Sequence, residues 1–200
     1  GPQRVTKAQL AEKACIQVSS MQYYYKNKKE LLRDIFLETV TRNTETAEEI
    51  STNRPELTCI VYLLLLYRIL TTDSRSSRMY KEFIEKFYTY NDKQIISGYM
   101  SLLGSICSLC GYPDISVESP LGVENIHSIC VYANDIMLRS IYQSNKPIGY
   151  KYIAKWNVDF MLWSLGISPN SMIEKAFNDA VAIFEAADID IKDLCIVDLS

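Results

Sequence analysis

Chain-breaking residues are few in this sequence and stand far apart, and their spacing decides the fold class. Only seven Gly and six Pro occur in 200 residues, and Pro55, Pro113, Pro120, Pro147 and Pro169 fall between segments whose apolar residues repeat with helical period. Such punctuation favours long, uninterrupted helices over a strand-and-turn fold. The spacing predicts helices over Thr6 to Ala14, Gln17 to Tyr24, Asn27 to about Glu49, and Asn53-Arg54-Pro55 to about Leu70. A further helix is capped by Ser74 to Ser77, and others run from Asn91 to Gly111, Leu121 to Gln143, Tyr150 to Leu165 and Pro169 to Ala187. Residues 112–120 read as a loop, and the tail after Asp188 has no assignable pattern. Leu57 to Tyr67 is the most apolar stretch; interrupted by Arg68, it falls short of the ~20 residues a bilayer needs and reads as a buried helix. The expected fold class is therefore all-α.

Composition supports a globular chain without a membrane partner: 48% of residues are hydrophobic and 22% charged. No signal peptide is visible, and six Cys without one fit a reducing cytoplasm. The opening Gly1-Pro2 has the look of a scar left by protease removal of a tag. The net charge of −3 conceals an asymmetry. Residues 1–33 hold seven bases (Arg4, Lys7, Lys13, Lys26, Lys28, Lys29, Arg33) against Glu12 and Glu30, a balance of +5, which leaves −8 for the rest. A basic head on an acidic body suits a head that meets a polyanion, although an uneven solvated surface reads the same way.

The head carries a more specific pattern. Two short helices flank a tight turn at Cys15-Ile16, and a long helix follows, with Asn27 as N-cap and Glu30 at capping-box distance. This is the layout of a helix-turn-helix, in which the first helix braces and the second lies in the major groove. The second helix offers Gln17, Ser19, Ser20, Gln22, Tyr23 and Tyr24. Lys26, Lys28 and Lys29 stand at the positive N-terminus of the long helix, an end that favours phosphate. With Met21 and Tyr25 turned inward toward Leu10 and Leu31, residues Gln17, Ser20 and Tyr24 would face the groove.

Val5-Thr6, Leu10-Ala11, Ala14, Ile16, Met21, Tyr24-Tyr25, Lys28 and Leu31-Leu32 fall without a gap on a known pattern, and over about 28 residues the segment resembles the TetR/AcrR family of transcriptional regulators. Three positions depart from it: Cys15 stands for the turn Gly, Gln17 for the Ser that starts the recognition helix, and Gln22 for the first Tyr of the aromatic run. If position 15 has positive φ, a non-Gly residue there costs about 1 kcal/mol. Family members have a further helix before the brace, where only Gly1 to Arg4 stand here; either residues are lacking from this sequence or the module is incomplete.

The resemblance implies a DNA-binding domain over 1–45 and a helical ligand-binding and dimerisation domain over 46–200. It also implies a homodimer pairing through the helices at 121–143 and 150–165; the first offers Ile126, Ile129, Val131, Ala133, Met137 and Ile141 as apolar surface for this, and the second Ile153, Trp156, Phe160 and Trp163. The dimer would hold a double-stranded operator until a small molecule releases it. Gln17, Ser19, Ser20 and Tyr23 would touch base edges, and Tyr24, Lys26 and Lys28 phosphates. Tyr62, Phe83, Phe87, Tyr99 and Phe160 are candidate pocket residues, although aromatics at helical spacing are more often plain core. Cys107, Cys110, His127 and Cys130 have zinc-like internal spacing, but lie among apolar neighbours that suit buried, unliganded thiols better. Neither metal nor cofactor is expected. One His and no nucleophile or phosphate-loop motif leave nothing for catalysis. The competing class is a helical dimer that senses a ligand or partner without binding DNA.

Overall fold

The computed structural model describes residues 6–86, 102–111, 132–133, 136–137, 139, 148–191 and 194. Among these there is no strand, and the all-α expectation holds. The helices are α1 (Lys7–Lys13), α2 (Val18–Tyr24), α3 (Lys28–Ile50), α4 (Thr58–Thr72), α5 (Ser74–Lys86), α6 (Tyr150–Ser164) and α7 (Ser171–Ala186), with a 3₁₀ turn at Pro55–Leu57 before α4. Residues 102–109 are also helical.

Helix α4 is the axis of the body because its sequence is apolar on nearly every face. Such a helix must be surrounded, and it packs against α3, α5, α6 and α7. Cys59, Ile60, Val61, Leu63, Leu64, Leu65, Tyr67, Ile69 and Leu70 are all buried on it. They join Leu103, Ile106 and Cys107 from the 102–109 segment, Ile153, Val158, Met161 and Leu162 from α6, and Ile173, Phe177 and Phe184 from α7 in one core. By length and composition the span Pro55–Thr72 could cross a membrane, with a mean hydropathy of 1.3, but 61% of it is buried inside the protein. Arg68 does not interrupt the helix; its guanidinium lies 5.5 Å from the centroid of the Phe184 ring, a favourable cation–π placement.

The ends of these helices follow local chemistry. Asn170 accepts from the N–H groups of Met172 and Ile173 and starts α7. Before α5 the cap is Asp73, not the serines at 74–77: its carboxylate accepts from the Ser76 N–H at 2.7 Å, while Ser76 and Ser77 are buried. Partial burial opposes ionisation of Asp73, yet the hydroxyl and N–H of Ser76 and the N–H of Arg75 hold its carboxyl below the usual range. Helix α6 ends in a Schellman turn at Gly166 (φ 75), with Gly166 N–H to Trp163 O at 2.9 Å and Ile167 N–H to Leu162 O at 2.9 Å. Helix α3 passes unbroken through position 45, so a head and a body divided there share this helix.

Candidate nucleic-acid interface

The three N-terminal helices are set by polar contacts at their ends. Thr6 forms a complete capping box with Gln9: the Thr6 hydroxyl accepts from the Gln9 N–H at 3.2 Å, and the Thr6 N–H donates to Gln9 Oε1 at 2.8 Å. The turn after α1 is a second Schellman motif, with Ile16 N–H to Ala11 O at 2.9 Å and Cys15 N–H to Glu12 O at 3.1 Å. Its left-handed residue is Cys15, at φ 53. The condition attached to the missing turn Gly is therefore met, and the chain keeps the turn while carrying the backbone strain of a Cβ there.

Helix α2 begins at Gln17 without a side-chain cap, as a poor N-cap residue should. Its seven residues are held from both sides. Met21 is buried at 6% exposure, and Ala11 on the brace helix is fully buried. At the other end Lys7 reaches across from α1, its Nζ donating to the carbonyls of Tyr25 at 3.3 Å and Lys26 at 2.8 Å. A cation on the last carbonyls of a helix satisfies acceptors that lack an intrahelical donor. Nothing in the local periodicity announces this role for Lys7; the contact spans 18 residues and appears only once α1 and α2 are packed.

With Met21 inward, the face opposite it is centred on Ser19, Gln22 and Tyr23, all exposed. This shifts the face expected from spacing alone. Gln17 is exposed but lies at the helix start, Ser20 is half-buried beside Met21, and Tyr24 stands on the flank at 72% exposure. Gln22 is the site residue that sequence reasoning passed over as a departure from a pattern; it and Ser20 flank Met21 symmetrically on a helical wheel, and the packing leaves Gln22 exposed and Ser20 half-buried. Tyr23, at 81% exposure, meets Tyr24 edge to face with ring centroids 5.3 Å apart. Val18 and Ile16 add exposed apolar surface next to these polar groups, at 39% and 44%.

The start of α3 differs from the open phosphate site expected there. Asn27 Oδ1 accepts from the Glu30 N–H at 3.0 Å, and the Glu30 carboxylate accepts from the Lys26 N–H at 2.9 Å and from Asn27 Nδ2 at 3.0 Å. An acidic side chain thus already occupies the end that a phosphate would use. The basic charge is also partly spent: Lys7 is a clamp, and Arg33 lies 3.6 Å from Asp34. Lys26 and Lys29 remain exposed beside α2. Lys28 begins α3, and its side chain lies outside the described residues, as do Arg4 and the Lys13 side chain.

The other candidate groups scatter. Tyr62 lines a cavity between α3, α4 and α5, and burial pushes its phenol pKa up. Phe83 is buried and stacks on Phe36, a wall of that cavity, at 3.8 Å between centroids. Phe160 instead stacks on Trp156 of α6 at 5.1 Å, away from the cavity-lining set. Phe87 and Tyr99 lie outside the described residues. Cys107 is fully buried and its thiol is pushed up to about 11 by burial and by the neighbouring Cys110, itself raised by burial. His127 and Cys130 lie outside the described residues, among which no cluster of three possible metal ligands occurs.

On α6, Ile153 is fully buried in the core of its own chain, so it is withdrawn from the set expected to pair two chains. Tyr152 and Trp163 are 64% and 58% exposed, and Tyr132 and Ile136, within the 121–143 segment, are 44% and 64% exposed. The rest of that segment's apolar residues lie outside the described positions, Ala133 and Met137 excepted. Comparison with protein-family models, with curated proteins and with solved structures returns no match.

Proposed function

We propose that this chain is a transcriptional regulator of the TetR type, a homodimeric repressor that holds operator DNA through α2 and is released by a small molecule. The observation that carries the reading is the presentation of α2. Its apolar anchor, Met21, is buried, and Gln17, Ser19, Gln22, Tyr23 and Tyr24 are exposed around the rest of it. A short helix fixed by a brace and a clamp, with amide, hydroxyl and phenol groups outward, suits base edges and phosphates in a major groove. Ser19, Gln22 and Tyr23 face the bases in this reading, and Tyr24, Lys26 and Lys29 the backbone. Exposed Tyr152 and Trp163 on α6, with Tyr132 and Ile136, supply the apolar surface for pairing two copies.

The test is binding of the full chain to duplex DNA, followed by fluorescence anisotropy over a salt series. Affinity should fall as salt rises, because exposed Lys26 and Lys29 would displace counterions from the phosphates. Gln22→Ala should change which operator is selected from a random pool, at about 1–3 kcal/mol for a lost base contact. Salt-independent or absent binding removes the proposal. The second reading, a helical dimer that senses a partner without DNA, is favoured by exposed Ile16 and Val18 and by the Glu30 carboxylate at the start of α3. It becomes the better one if no duplex binds.

A further inference from the structure

The outward side of α2 combines two kinds of group that one kind of base pair asks for together. Val18 and Gln22 stand four residues apart, neighbours on one side of the helix, and both are exposed. Gln22 offers a carboxamide, which donates from its nitrogen and accepts at its oxygen. Adenine shows the matching pair in the major groove, an N7 acceptor beside an N6 donor. Val18 offers methyl groups, and the one methyl group on a base edge in that groove is the thymine C5-methyl. Apolar surface beside polar readers is otherwise unfavourable in water, and Ile16, exposed just before α2, extends it. The groups that α2 lacks point the same way. From Val18 to Tyr24 there is no Arg, Lys, Asp or Glu. The cationic donors that suit guanine O6 and N7, and the carboxylate that suits the cytosine N4 amine, are thus missing from it. Gln17, the other amide, stands at the helix start, and its Oε1 already accepts from the Ser19 hydroxyl at 3.4 Å.

From this combination we infer that the half-site beneath α2 is read at A·T pairs, with Gln22 taking the adenine and Val18 the thymine methyl. One turn of α2 rises about 5.4 Å and one base-pair step about 3.4 Å, so the two side chains reach the same pair or neighbouring ones. Ser19 and Tyr23 add little to this choice, since a hydroxyl donates and accepts alike. The inference rests on the operator-binding reading of α2 and deepens it by naming the bases.

The test uses the full chain and a random duplex pool. Selection should enrich one half-site, and Gln22→Leu should relax a position in it that is adenine for the unaltered chain. Val18→Ser should relax the preference for thymine over cytosine at the same pair or the next. The tightest selected duplex is then altered one group at a time, and anisotropy follows its binding to the unaltered chain. At the position that Gln22 reads, 7-deazaadenine lacks the N7 acceptor and should bind roughly fivefold more weakly. Uracil in place of the thymine that Val18 meets lacks only the methyl group and should bind roughly threefold more weakly. Each penalty should vanish in the variant that lacks the partner side chain. Guanine or cytosine at the relaxed position, no relaxed position, or indifference to either altered base overturns the inference and leaves operator binding in place. Enrichment of no duplex overturns the operator-binding reading and the inference with it, in favour of a protein partner for exposed Ile16 and Val18. If a variant does not fold, the altered bases, placed in turn at every A·T pair of the half-site, decide on the unaltered chain.

Discussion

In the body, α4 is wrapped by four other helices and buries ten of its residues, from Thr58 to Leu70. In the head, α1 and α2 close on each other around Ala11 and Met21, neither of which belongs to the main core, and polar groups do the rest. Thr6, Gln9, Lys7, Asn27 and Glu30 fix the ends and joints of the head by directed hydrogen bonds. Apolar burial is non-directional and grows with area, so it makes the body tolerant in detail and demanding in volume. Hydrogen-bonded clamps contribute less each, about 0.5–1.5 kcal/mol, but they set angles. A head that has to present one small face in one orientation is better served by the second kind of force. The comparison implies that the two regions open separately.

The largest effect expected is in the body. Leu64 is fully buried at the centre of α4, and Leu64→Ala removes three carbons from a site that several helices surround. A loss of about 2–5 kcal/mol is expected, read as a fall in the main thermal transition and in the denaturant midpoint. Met21→Ala should lose about 2 kcal/mol, at the low end of that range because one helix layer covers it. Its signature is different: amide exchange should quicken in α1 and α2 while the body's transition hardly moves. If Met21→Ala lowers the main transition as much as Leu64→Ala does, head and body are one cooperative unit and the comparison breaks.

Lys7→Met sharpens the same contrast. The thioether keeps the apolar stem and removes three donors, so the carbonyls of Tyr25 and Lys26 lose their partner. About 0.5–1.5 kcal/mol should be lost from the head alone. DNA affinity should fall on every operator alike, since what is disturbed is the seating of α2 and not a base contact. Operator-dependent loss would mean that the Lys7 ammonium reaches DNA instead of bracing the helix.

How far the sequence could be read follows from the range of the forces. The apolar run from Leu57 to Leu70 announces a central helix because burial on all faces is written in consecutive residues. Asn27 announces a helix start because an N-cap and the N–H it accepts from, that of Glu30, lie within four positions, although the Glu30 carboxylate reaches back to the Lys26 N–H and not to that of Asn27. The clamp from Lys7 to Tyr25 and Lys26 was illegible because its partners are backbone carbonyls 18 and 19 residues away, and a backbone carbonyl has no letter. The same holds for the outward face of α2. Spacing gave Met21 as the anchor, but whether Ser20 or Gln22 lies outward depends on how neighbouring elements cover the helix, and the packing leaves Ser20 half-buried. Asp73 was passed over for the serines that follow because Ser, Asp and Asn are all good caps; burial of Ser76 and Ser77 in the body settled the choice. Asn43 stands on the helical stripe of Phe36, Val40, Ala47 and Ile50, so spacing marks it as inward despite its polar side chain.

The smallest effect isolates one backbone angle in each region. The turns after α1 and α6 are the same Schellman motif, with the same two hydrogen bonds, and each needs a left-handed residue. The body supplies Gly166 at φ 75, and the head supplies Cys15 at φ 53. A Cβ added at Gly166 meets nothing within 4 Å, so Gly166→Ala tests the angle without a clash. It should destabilise the body by about 1 kcal/mol. Cys15 is exposed, so Cys15→Gly removes little packing and should stabilise the head by roughly 0.5–1 kcal/mol. That gain is the relieved strain less the extra freedom glycine has in the unfolded chain. The measurement is the main thermal transition for Gly166→Ala and amide exchange in α1 and α2 for Cys15→Gly. Opposite signs at the two turns mean that the head carries strain the body avoids. If Cys15→Gly leaves exchange in α1 and α2 unchanged or quickens it, the Cys15 side chain makes contacts that outweigh the angle, and the head is better packed than its two buried side chains suggest.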